Sequence, residues 1–172
     1  MIDGSVVFVF GYPNGVYNLI FVNSWFSSVG TFGGNGNGLH IVSAQGISVD
    51  SSQFYSNSYS GLRVGQAARD TTLSNSILSG NSNGYGNGGA NNAKYSAITI
   101  DPAGQNFSLM NNRAGRTSVY ANTQKSGVSV GAGADHFRII GNDLEDNMVA
   151  GLQNQATSTN SVVALNLPVQ QP

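Results

Sequence analysis

Five times along this chain a pair of alternating apolar residues is followed, five residues after its second member, by another nonpolar position: Phe21 and Phe26, Val49 and Phe54, Leu73 and Leu78, Leu109 and Ala114, Ile139 and Leu144. Alternation with period two puts apolar side chains on one face of an extended strand. The constant interval then means that each strand turns the same corner into the next. Helical repeats would need a period near 3.6, which none of these pairs has. Segment 127–151, GVSVGAGADHFRIIGNDLEDNMVAG, contains one whole unit: Val128 and Val130, a polar corner, Phe137 and Ile139, a corner with Asn142, then Leu144 and Asn147.

The units open at Gly38, Gly61, Ala97, Gly127 and Gly151, with spacings of 23, 36, 30 and 24 residues, too long for hexapeptide repeats and too irregular for leucine-rich ones. What remains is an all-β solenoid: a single-stranded parallel β-helix of about six coils, filling 1–172 as one domain. Its strands stack about 4.8 Å apart. Asparagines at equivalent corners, namely Asn23, Asn75, Asn111 and Asn142 with Ser51 as a further member, are expected to form a side-chain amide ladder.

Composition agrees with a turn-rich β protein. Charged residues are only 9% of the chain and glycine is abundant, yet β-branched and aromatic residues recur on a schedule that disordered segments lack. A net charge of -1 with no basic run argues against a nucleic-acid surface. The absence of cysteine excludes disulfides and thiolate metal sites, and two histidines make a zinc site improbable. No motif calls for a cofactor. No apolar run approaches the roughly 20 residues of a membrane span, and the N-terminus carries no signal-peptide pattern. The apolar opening at Val6 to Phe10, without a polar cap, suggests that further coils precede Met1 in a longer protein.

The repeat, Gly-Leu-x-Val, then Phe-x-Ile-x-Gly-Asn-x-Leu and a later Asn, with the ending TNSVVALNLP, resembles the right-handed parallel β-helix proteins of the pectate-lyase-like superfamily, most of all the C-terminal parts of phage or prophage tail spikes and fibres. That resemblance implies a right-handed coil, a homotrimer, a virion-associated or extracellular location, and a surface polysaccharide as partner. It does not fix an activity, because such folds carry lyases, hydrolases, epimerases and silent binding proteins. Asp101-Pro102 resembles the Asp-Pro-His of mannuronan epimerases, but Ala103 stands where the histidine would be.

Two places are expected to carry function. Extra length falls at one corner, in Gly30 to Asn37, Ser82 to Lys94 and Thr117 to Ser126, so three long loops should lie side by side. Their neighbourhood supplies Phe32, Tyr85, Tyr95, Tyr120, Arg116 and Lys125; aromatic rings beside amides suit the apolar faces and hydroxyls of sugars. The same tyrosines are equally suited to covering a sheet edge or packing between subunits. Trp25 is either a stacking platform or a cap.

The second place is the outer face of the first strand of each unit. With Leu39, Leu62, Ile98, Val128 and Leu152 inward, His40, Arg63, Thr99, Ser129 and Gln153 point out, and Asp101 lies beside them. His40, Arg63 and Asp101 are the catalytic candidates. Glycoside hydrolysis normally needs two carboxyls about 5 to 10 Å apart, and only Asp101 is placed on this face. A lyase would need a base and a cation, for which Arg63 with His40 or Arg116 is available, but no acidic calcium cluster accompanies them. Asp135-His136 reads as a turn pair before Phe137, and Asn106-Phe107-Ser108 as a glycosylation pattern spoiled by an inward phenylalanine. Three functions remain open: a structural and polysaccharide-recognition domain of a phage-type spike or fibre, a secreted polysaccharide lyase, hydrolase or epimerase, and a bacterial adhesin.

Overall fold

A computed structural model describes residues 2–3, 7–10, 16–30, 36–84, 94–120 and 122–167. In chain order the strands are β1 (Ile2–Asp3), β2 (Val7–Phe10), β3 (Ile20–Val22), β4 (Trp25–Ser27), β5 (Leu39–Ser43), β6 (Gln45–Asp50), β7 (Gln53–Tyr55), β8 (Leu62–Val64) and β9 (Arg69–Ser74). They continue with β10 (Ile77–Ser79), β11 (Ile98–Ile100), β12 (Gln105–Met110), β13 (Arg113–Ala114), β14 (Ser126–Val130), β15 (Asp135–Ile140), β16 (Ala150–Asn154) and β17 (Val162–Ala164). No helix occurs among the described residues.

All sheet pairing between strands is parallel, and each strand pairs with its counterpart one circuit away. Sheet 1 has the order β16-β14-β11-β8-β5-β2, sheet 2 the order β17-β15-β12-β9-β6-β3, and sheet 3 the order β1-β4-β7-β10-β13. The chain visits the sheets in rotation, an arrangement consistent with a parallel β-helix solenoid. The five-residue interval is the passage from sheet 2 to sheet 3, with Phe26, Phe54, Leu78 and Ala114 in one register column.

One continuous core fills the space between the sheets. The inward residues Leu39, Leu62, Ile98 and Val128 of sheet 1 and Val49, Leu73, Leu109 and Ile139 of sheet 2 are fully buried. Aromatic rings stack along the axis: Phe26 on Phe54 at 4.7 Å between centroids, Phe107 on Phe137 at 4.9 Å. Both pairs are nearly parallel, because equivalent side chains one strand apart have their rings in register.

The corner between sheets 2 and 3 corrects the expected ladder by one residue. Asn23, Asn75 and Asn111, with Ser51, take left-handed backbone angles (φ 50, 50, 54 and 49°) and turn the chain. Asparagine tolerates that region better than most residues, and Asn75 Nδ2 donates across one circuit to Asp50 at 2.9 Å. The ladder belongs to the following residue. The backbone N–H groups of Ser24, Ser52, Ser76, Asn112 and Asn142 donate in turn to the side-chain oxygens of Ser52, Ser76, Asn112, Asn142 and Asn166, at 2.9 to 3.1 Å. Asn142 is a ladder member, while in its own circuit Gly141 holds the turning position (φ 68°). The first three members, Ser24, Ser52 and Ser76, are serines, and the hydroxyls of Ser52 and Ser76 accept the same bond that asparagine accepts later in the ladder.

A second amide ladder closes the corner between sheets 3 and 1. Asn57 Nδ2 donates to Asn81 Oδ1 at 2.8 Å, Asn81 Nδ2 to Gln124 Oε1 at 2.9 Å, and Gln124 Nε2 to Asn147 Oδ1 at 3.0 Å. Buried amides of this kind satisfy backbone groups that a turning chain would leave without partners. Glycine opens sheet 1 for the same reason of space: a Cβ on Gly127 would stand 2.7 Å from the Ala114 carbonyl oxygen and 2.9 Å from that of Gly151.

Candidate functional site

Sheet 1 brings the first group of candidates together. His40, Arg63, Thr99, Ser129 and Gln153 form one register row across five strands. Arg63 Nε donates to both oxygens of Asp101, at 3.0 and 3.2 Å. Asp101 thus sits as the carboxylate of an ion pair. Burial first, and the Arg63 guanidinium second, push the His40 pKa below its ordinary value, against the opposing pull of Asp101. The three residues are neighbours, but their chemistry is turned inward on one another.

At the loop corner the described tyrosines are stacked rather than free-standing. Tyr120 lies face to face with Tyr55 at 4.4 Å, Trp25 meets Tyr55 edge-on at 5.7 Å, and Tyr95 packs on Tyr59 at 4.3 Å with Lys94 Nζ 5.6 Å from the Tyr95 ring centre. One face of each ring therefore covers a neighbour. Trp25 keeps 39% of its surface exposed and Arg116 is exposed. Tyr85 and Phe32 lie outside the described residues.

A concavity lies elsewhere, on the outer face of sheet 2. A groove of about 480 Å³ is lined by Asp70, Thr72, Asn106, Ser108, His136 and Arg138, with Asn160 and Val162 along one side. Two rows build it. Thr72, Ser108, Arg138 and Val162 are in direct register on β9, β12, β15 and β17. Asp70, Asn106 and His136 form the row before, and all three have left-handed φ (53, 53 and 54°). A residue in that conformation bends its strand, so the same kink on three adjacent strands curves the sheet face into a trough.

One end of the groove is organised by a carboxylate. Asp135 accepts from the His136 backbone N–H at 2.8 Å and from the Ser158 hydroxyl, and its other carboxylate oxygen lies 2.9 Å from His136 Nδ1. The Ser158 bond above all holds the Asp135 carboxyl below its ordinary range. At the other end Asp70 accepts from Gln45 Nε2 at 2.8 Å. Among the described residues the Arg138 guanidinium has neither a carboxylate nor another hydrogen-bond partner. No set of three or more His, Asp or Glu side chains among the described residues is placed to hold a metal ion.

The sequence reading passed over this face. Its signal was nevertheless present, because the alternation that set His40 and Arg63 outward on one strand sets Thr72, Ser108 and Arg138 outward on the next. The trough itself had no sequence signature, since Asn, Asp and His all tolerate left-handed angles and nothing in the residue types says which of them adopts one.

Comparison of the chain with protein-family models, with curated proteins and with solved structures finds no match.

Proposed function

We propose that this chain is a structural and polysaccharide-recognition domain of a phage-type tail spike or fibre. In this reading it is a right-handed β-helix of about six coils of the pectate-lyase-like kind, trimeric, and acting on a virion or otherwise outside the cell. The observation that carries the reading is the sheet 2 groove. Hydroxyl and amide groups of Thr72, Ser108 and Asn106, on strands spaced about 4.8 Å apart, and of Asn160 in the segment before β17, line an open trough. A repeating, hydroxylated, extended polymer is what such an array of hydrogen-bonding groups suits.

Cleavage of the glycosidic bond has less support. Asp101 is committed to Arg63, and the Ser158 bond holds Asp135, at the groove's end, below the ordinary carboxylate range, which does not suit the part of the acid. Exposed Val119, Met148 and Val149, on the segments that lead from sheet 3 to sheet 1, provide apolar surface for contact between subunits.

The test is binding to a panel of immobilised bacterial surface polysaccharides, neutral and acidic. The expected result is saturable binding to a subset, weakened at least tenfold by Arg138→Ala and by Thr72→Ala with Ser108→Ala, and unchanged by Arg63→Ala. Absence of binding across the panel, or loss with Arg63→Ala alone, would refute the reading.

A further inference from the structure

The geometry points to a hydrolytic site at the Asp135 end of the sheet 2 groove, where His136 activates water against an ester, such as an acyl group carried by the bound glycan. His136 Nδ1 lies 2.9 Å from Asp135 Oδ2. A carboxylate at that distance favours the tautomer with its proton on Nδ1, which leaves Nε2 as a proton acceptor, and no described residue bonds to Nε2. Asp135 is itself anchored by Ser158 and by the His136 backbone N–H, so the carboxylate is positioned as well as charged. Arg138 stands two residues further along β15, and both side chains line the groove. The open groove admits a water against Nε2 and an ester carbonyl oxygen against the guanidinium. Asn106, beside His136 on the neighbouring strand, adds an amide donor.

The step balances with these groups alone. The water oxygen bonds to the acyl carbon as its proton passes to His136 Nε2, giving an imidazolium on Asp135 and a tetrahedral oxyanion facing Arg138. Collapse breaks the bond from acyl carbon to alkoxy oxygen, and the imidazolium returns its proton to that oxygen. A carboxylic acid and an alcohol leave. An ester fits this equipment better than an acetal, whose cleavage begins with proton donation to the leaving oxygen. It also fits better than β-elimination, which asks a base to remove a proton from a far less acidic carbon.

The inference rests on the recognition reading only in taking a glycan as the ester's carrier. The probe is chemically O-acetylated xylan, with free acetate followed by proton NMR. Acetate release above the protein-free rate is expected, reduced about 100-fold in His136→Asn, whose asparagine suits the left-handed backbone at that position. Asp135→Asn should cost at least tenfold. As Asp135 is a positioning residue, its loss should lower kcat while leaving KM for the acetylated glycan unchanged. Equal acetate release by wild type and His136→Asn, or no release above the blank, overturns the proposal, as does formation of unsaturated products from a uronate polymer. Polysaccharide binding that persists without acetate release would sink the esterase while leaving recognition intact.

Discussion

Asn112 Nδ2 donates to Asn142 Oδ1 at 3.0 Å across one circuit, while the residue before Asn112, Asn111, has a left-handed φ of 54°. Two adjacent asparagines thus have opposite duties: one turns the corner, the other ties circuits together. Asn142→Leu removes the acceptor for both the Asn112 N–H and its amide, and is expected to lower unfolding free energy by about 2 to 4 kcal/mol in urea titrations. Asn111→Gly should stay within about 0.5 kcal/mol of wild type, because glycine accepts positive φ freely. The opposite ranking would return the ladder to the first asparagine.

Thr71 occupies a core column with Ile47, Phe107 and Phe137, and its buried hydroxyl has no hydrogen-bond partner. A stranded buried hydroxyl costs stability. Thr71→Val keeps the shape and removes the polar atom, so a gain of about 1 kcal/mol is expected from the denaturation midpoint. A loss of that size would mean that the hydroxyl is satisfied in solution.

The stacked pair Phe107 and Phe137 fills the core beneath the groove. Phe107→Ala should cost about 3 to 5 kcal/mol. Because the groove residues Asn106 and Ser108 flank Phe107 in sequence, polysaccharide binding should weaken too, even below the unfolding temperature. Calorimetry and binding on the same sample would separate the two effects.

The repeat spacing made the circuit readable, because period-two alternation and a fixed corner leave a chain few ways to fold. The outward row from His40 and Arg63 to Thr99, with Asp101 beside it, followed from that alternation alone. The ladder register was misjudged at Asn23, Asn75 and Asn111 because a turning asparagine and a bonding asparagine look alike in sequence, and because Ser52 and Ser76 substitute for amides. The groove was missed for a different reason. Its concavity comes from backbone kinks at Asp70, Asn106 and His136, and kinks at aspartate and histidine leave no signature in composition.

For His40, burial and Arg63 favour the neutral imidazole, so its folded pKa lies below 6.5. Above pH 6.5 neither folded nor unfolded state pays for protonation. As pH falls through 6.5 the unfolded chain takes up the proton first, and stability declines until the folded pKa is passed. Arg63→Ala should raise the His40 pKa and shrink this acid-side loss, while Asp101→Asn should lower the pKa further. Imidazole proton shifts followed against pH would check both directions.

The most direct test of the functional account is a crystal structure with an oligosaccharide cut from a polysaccharide that the domain binds. Density along the sheet 2 trough, in contact with Thr72, Ser108 and Arg138, is the predicted result. A ligand seated instead on sheet 1 over His40, Arg63 and Asp101, with the trough empty, would contradict it.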